Sequence, residues 1–218
     1  ERAYRWLTPV QLPDGADAAS QCRALGVDPG DVRHLILSHF HADHMAGTHA
    51  FPNATIHCSA QGYAAACKGG RVNAVRQGVV RALFPPDFAA RARFFEDGAS
   101  LPLPSDLLPF THGVDLLGDG ALMAVPLPGH CPGHWGLLIS DSRFGLHFLV
   151  ADAAWSSDAI RRNVPPPALT SGFLGDGKQA RATLQALHDL GQRNHDIRLS
   201  PCHCPERAAE ARAMGATP

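Results

Sequence analysis

The sequence predicts an α/β fold: a sandwich of sheets covered by helices. Two observations carry this. Short apolar runs rich in branched residues recur as strands, and helical stretches cluster between groups of them. The chain has 218 residues, a length that suits one domain spanning 1–218 or two closely fused halves.

Residues 1–14 read as an irregular lead-in with Pro9 and Pro13. Residues 16–25 have helical character, with Gly26 as a C-cap, and Pro29-Gly30 marks a turn. The run 32–38 reads as a buried strand that leads straight into His39. A second short strand is expected at 54–58 and a helix at 60–67. Helices are expected over 72–83 and 86–91, with Pro85-Pro86 between them. Two strands flank Gly118-Asp119-Gly120, a hairpin signal. Further strands fall at 135–140 and 146–150. Residues 158–177, with Pro165-Pro166-Pro167, read as a loop. An amphipathic helix follows at 178–190, then a strand at 197–200 and a helix at 205–214.

Composition narrows the function. Apolar residues make up 45% and charged residues 18%, as in an ordinary globular protein. Nineteen basic against 20 acidic side chains give a net charge of −1, which offers no general attraction to nucleic acid or an anionic membrane. No apolar run reaches the roughly 20 residues of a membrane span. Six cysteines without a CxxC pair suit a reducing compartment such as the cytoplasm. The first residue is Glu1 rather than Met, so a leader upstream of it stays open. Histidine is the outlier, at 13 residues in tight clusters rather than a tag-like run.

The densest cluster is Ser38-His39-Phe40-His41-Ala42-Asp43-His44, just after a strand. In an extended segment His39 and His41 share a side and can grip one cation. Asp43 and His44 follow as the chain turns and can serve a second. Three later positions have ordinary readings when taken alone: His130 as a turn histidine, Asp152 as a helix N-cap, and His203 as a strand-end histidine.

The HxHxDH segment resembles the signature of the metallo-β-lactamase superfamily. Pro128-Gly129-His130-Cys131-Pro132-Gly133-His134, Leu149-Val150-Ala151-Asp152 and Ser200-Pro201-Cys202-His203 resemble its later ligand segments, in the family's order. The resemblance implies an αββα sandwich and a dinuclear metal centre. His39, His41 and His130 would hold one ion, Asp43, His44 and His203 the other, and Asp152 would bridge them. Asp43 and Asp152 would be the catalytic carboxylates, and water activated between the ions the nucleophile. Zinc is the default for such a donor set, with iron, manganese or cobalt as alternatives. His134 is expected to support ligands rather than bind metal. Cys202 and Cys204 are expected to face away from the metals into packing, as are Cys131 and Cys58. The remaining histidines (His34, His49, His57, His112, His147, His188, His195) are expected to carry no chemistry.

The family normally places several strands before HxHxDH, whereas only 38 residues precede His39 here. Either the first half is truncated or its sheet is unusually small. For substrate, the resemblance points to hydrolysis of an ester, lactone or related acyl bond in a small molecule. The 22 residues from His130 to Asp152 resemble the lactonase branch. An aspartate bridge departs from most true β-lactamases. Quorum-sensing lactonases carry a tyrosine near that aspartate, but this chain has only Tyr4 and Tyr63, neither in that region. Thioesterase, β-lactamase and phosphodiesterase or ribonuclease activities remain alternatives, the last suggested by Arg71, Arg76, Arg81, Arg91 and Arg93. Phenylalanines in 84–95 read as core rather than an apolar lid. Trp155, Arg161 and Arg162, on the loop expected after Asp152, are candidate substrate contacts.

Overall fold

A computed structural model describes residues 12–141, 145–165 and 175–213. Most of the expected lead-in, Tyr4, Pro166, Pro167 and Met214 lie outside the described residues.

Among the described residues, two sheets face each other. The first holds β1 (His34–Ile36), β2 (Thr55–Cys58) and β3 (Ala92–Phe94), all parallel. The second has six strands in sequence order: β4 (Ser100–Pro102), β5 (His112–Asp115), β6 (Leu122–Pro126), β7 (Trp135–Asp141), β8 (Gly145–Ala151) and β9 (Arg198–Pro201). Its pairs are antiparallel except β8–β9, which is parallel and interrupted between Leu149 and Ala151. The helices are α1 (Ala18–Ala24), α2 (Ala42–Met45), α3 (Ala60–Cys67), α4 (Arg71–Arg76), α5 (Phe88–Arg91), α6 (Ser157–Arg162), α7 (Gly177–Arg193) and α8 (Pro205–Ala213). Among the described residues, no helix is long and apolar enough to cross a membrane.

Three apolar layers hold the sandwich together. Between the sheets, Phe95, Val114 and Ala124 pack with Ile36 of β1 and Trp135 of β7. The Trp135 backbone N–H donates to the Ser38 carbonyl at 3.0 Å, which joins the sheets beside the ligand segment. Outside the second sheet lies α7. Asp176 caps it by accepting from the backbone of Lys178 and Gln179. Its Leu184, Leu187 and Leu190 recur at helical spacing and bury against Val125, Leu127, Leu138, Phe148 and Val150. Outside the first sheet, Phe40, Phe88 and Ala66 pack with Tyr63, Phe84 and Phe94. The phenylalanine-rich segment is therefore core, as its mixed spacing suggested.

Five elements differ from expectation. The strand expected at 32–38 keeps only three residues, because β1 pairs with β2 over that length alone. The helix expected over 72–83 stops at Arg76, where Gly78 takes φ +74°, and a 3-10 turn follows at Arg81–Leu83. Strands β3 and β4 are three residues long, too short for a pattern to mark them, and form by pairing with neighbours. The loop expected after Asp158 begins instead as helix α6. Ser156 caps it through Ala159 N–H, with Asp158 in its first turn and Arg161 and Arg162 in its last, as the helix dipole favours.

Candidate metal centre

The chain leaves β1, and His39 and His41 follow in quick succession with ring centroids 4.5 Å apart. His41 is the extended residue preceding α2, so helix formation begins immediately after it. This places Asp43 in the first turn of α2 and His44 in its last. The Ser38 hydroxyl lies 3.0 Å from His39 Nδ1 and 3.4 Å from His44 Nδ1. Engaging both Nδ1 atoms leaves both Nε2 atoms free to face the centre.

His130 sits on the turn between β6 and β7. Gly129 adopts φ +127°, and a Cβ there would lie 2.1 Å from the Ala180 backbone nitrogen, so only glycine lets the turn approach α7. The turn is pinned by Thr183 Oγ1 donating to the Pro128 carbonyl and by Asp176 N–H donating to the Gly129 carbonyl. Asp152 follows β8 through Ala151, whose φ of +47° is strained for a non-glycine residue. His134 is buried behind it. Its Nδ1–H donates to the Leu127 carbonyl at 3.0 Å, and its Nε2 accepts from Asp152 N–H at 3.2 Å. That pairing fixes the tautomer and holds the Asp152 backbone, the supporting role expected of His134. His203 follows β9, and Cys202 N–H donates to the Ala151 carbonyl.

All seven expected residues converge. Asp152 Oδ2 lies 3.2 Å from His130 Nε2 and 3.7 Å from His39 Nε2. Its Oδ1 lies 3.4 Å from His203 Nε2 and 3.6 Å from His44 Nε2. Asp43 Oδ2 is 3.3 Å from His203 Nε2 and 3.6 Å from His44 Nε2. His41 Nδ1 faces His130 Nε2 at 3.0 Å. One carboxylate thus presents one oxygen to each of two imidazole groups.

The electrostatics fit cations. Burial, then the surrounding imidazoles, holds His39 well below the usual histidine range. Burial and then His130 bring His41 down to about 4. Neutral imidazoles are the metal-binding form. Burial works against charge on Asp152, but hydrogen bonds from His130, His44 and Cys202 outweigh it and keep the group a carboxylate. The buried His39 Nε2, aimed at Asp152, has no hydrogen-bond partner. A bound cation satisfies both this nitrogen and the buried carboxylate facing it.

Cys202 departs from expectation. The strand ends at Pro201, so alternation does not continue into the turn. Cys202 is exposed, and its thiol donates to Asp152 Oδ1 at 2.6 Å. The proline ending the strand was the signal available in the sequence. Cys204 does turn inward, accepting from Ser157 N–H. Cys131 is buried, as expected, yet its sulfur belongs to the donor cluster of His39, His41 and His130. Arg161 is held by both oxygens of Glu206, and Arg162 by Asp158, which engages the arginines proposed as substrate contacts. In the middle segment, Arg81, Arg91 and Arg93 donate to backbone carbonyls of their own chain. They brace loops. Tyr63 lies in the aromatic core among Phe40, Phe84, Phe88 and Phe94.

Comparison with known proteins agrees with this geometry. The N-acyl homoserine lactonase AttM of Azorhizobium caulinodans is 30% identical over 191 residues, covering 85% of this chain and 63% of that protein. The AttM of Agrobacterium fabrum is 28% identical over the same shares. The chain therefore spans under two thirds of the length of these relatives. An N-acyl homoserine lactone hydrolase solved with N-hexanoyl-L-homoserine at its catalytic metal centre superposes with a TM-score of 0.65 at 21% identity, over 90% of this chain and 66% of that one. The dizinc quorum-quenching lactonase AidC gives a TM-score of 0.59 at 20% identity, over 86% and 62%. The family model described as Metallo-beta-lactamase superfamily matches residues 12–203. The chain belongs to the metallo-beta-lactamase superfamily.

Proposed function

We propose that this chain is a metal-dependent hydrolase that cleaves a lactone or related ester of a small molecule. The observation that carries the reading is the Asp152 carboxylate, with one oxygen toward His39 and His130 and the other toward His44 and His203. In this reading His39, His41 and His130 would hold one divalent ion and Asp43, His44 and His203 a second, with the Asp152 carboxylate facing both groups. Zinc suits the donors best. Bound there, the ions supply Lewis acidity toward a carbonyl oxygen and make water a competent nucleophile near neutral pH.

The chain's own residues do the rest. Asp152, buried and held at its backbone by His134, fixes the spacing of the two halves. Asp43 is about half exposed and is the carboxylate open to solvent, placed to accept a hydrogen bond from attacking water. Ser38 orients His39 and His44. A cleft of about 360 Å³ adjoins the His130 turn, lined by Gln61, Gln77, Gln179, Pro132 and Asp176 among others. It offers amide groups to a polar substrate portion. The lactonase relatives support a lactone ahead of the other acyl bonds.

The test is a hydrolysis screen of metal-loaded protein over N-acyl homoserine lactones, aryl esters, thioesters, β-lactams and phosphodiesters, with Asp152→Ala as control. Lactone turnover that Asp152→Ala abolishes is expected. Folded, metal-loaded protein that left every acyl substrate intact, or cleaved only phosphodiesters, would overturn the reading.

A further inference from the structure

We propose that Cys202 is a metal ligand, supplying a sulfur donor to the ion held by His44, His203 and Asp152. This rests on the dinuclear reading above and adds to it a donor outside the seven residues.

The geometry comes from the turn after β9. Pro201 ends the strand, and Cys202 N–H bonds back to the Ala151 carbonyl, one residue before Asp152. The thiol is thereby carried to the carboxylate, 2.6 Å from Asp152 Oδ1 and 3.9 Å from His44 Nε2. One ligand atom from each of His44, Asp152, Cys202 and His203 falls within 4.8 Å of all the others. Bonds of about 2.0–2.3 Å to a tetrahedral zinc place neighbouring donors roughly 3.3–3.7 Å apart. The His44–Asp152 and His203–Asp152 separations of 3.6 and 3.4 Å already match, and the Cys202–His44 separation is close. The Cys202–Asp152 pair, at 2.6 Å, is too short. It is a thiol hydrogen bond whose proton leaves to solvent when sulfur takes the ion.

The consequence is chemical selectivity. An ion near His39, His41 and His130 would meet imidazoles and a carboxylate oxygen, with the buried Cys131 sulfur beside them. The other meets sulfur as well, a soft donor that favours zinc or cobalt over manganese. Asp43 lies on the exposed side of the same group, 3.3 Å from His203 Nε2, and would be a fifth donor beyond the four-donor set of sulfur, nitrogen and oxygen.

The experiment uses the whole chain loaded with two cobalt(II) ions, and separately with two zinc ions. Wild-type cobalt protein should show an intense near-ultraviolet sulfur-to-cobalt charge-transfer band. Cys202→Ser should lose it while retaining both ions, and its preference for zinc over manganese should fall. Cys131→Ala should keep the band, which excludes the other nearby thiol. X-ray absorption of the wild-type zinc protein gives an answer without any substitution: a Zn–S shell at about 2.3 Å is expected. Two ions bound with no charge-transfer band and no sulfur shell overturn the proposal while leaving the dinuclear reading intact. So does a band that survives Cys202→Ser. Protein that binds no metal overturns both.

Discussion

At Asp152 the short reach of one side chain decides what the centre can do. The strained φ of Ala151 and the His134–Asp152 backbone bond aim it, and the His134 ring also packs against that of His39, centroids 5.0 Å apart. Asp152→Ala should lower kcat/KM for the lactone by at least about 10²–10³-fold and reduce bound metal, measured by steady-state kinetics and elemental analysis. His134→Ala should act differently. It leaves the Leu127 carbonyl and Asp152 N–H unpaired and opens a buried void, costing about 2–4 kcal/mol in denaturant unfolding. Metal affinity should fall by roughly 10–100-fold, the usual cost of losing a group that orients a ligand. Unchanged metal affinity in a folded His134→Ala protein would contradict this role. The convergence of the seven residues was legible in the sequence because each sits in a short ordered segment. Cys202 was not. Strand alternation turned it away from the metals, and the turn after Pro201 cancels that alternation.

The elements divide by how much of their structure is local. Helix α7 was legible because its cap, Asp176, and its leucine stripe are both written in sequence. Leu187→Ala should cost about 2–5 kcal/mol in unfolding while leaving bound metal unchanged, since Leu187 packs on the sheet face away from the centre. Strands β3 and β4 were not legible, because, unlike β1 inside the apolar run 32–38, they are three residues with no longer run around them and are fixed by distant partners. Helix α6 was missed for another reason. The prolines after it suggested a loop and outweighed the Ser156 cap and its dipole-matched charges. Because Glu206 and Asp158 hold its arginines, Arg161→Ala should leave kcat/KM for the lactone within twofold. A large loss of kcat/KM would return Arg161 to the substrate site.

Over the whole molecule, the two sheets bring together segments separated by more than 160 residues, from His39 to His203. Family order in the sequence conveyed this convergence, whereas the number of strands in the first sheet came only from the structure. The site also sets the protein's response to acid. His39, His41 and His134 have lowered pKa values in the folded chain, the latter two at about 4 and about 3, each chiefly through burial. Unfolded histidine takes up its proton near pH 6.5, before the folded protein does. Metal-free protein should therefore be most stable above pH 6.5 and lose stability as pH falls toward 4, by roughly 1.4 kcal/mol per pH unit per such histidine. His44, raised by Asp152 and Asp43 against its burial, opposes this as a single group. Metal should steepen that profile, because a bound cation keeps the ligating nitrogens unprotonated in the folded chain and is displaced as pH falls. Urea melts at stepped pH, with and without zinc, check both trends. The most direct measurement is anomalous diffraction from crystals of the zinc-loaded chain. Two peaks about 3.5–4 Å apart, with an Asp152 oxygen on each, are the expected result. A single peak, or two that Asp152 does not touch, would contradict the bridged pair.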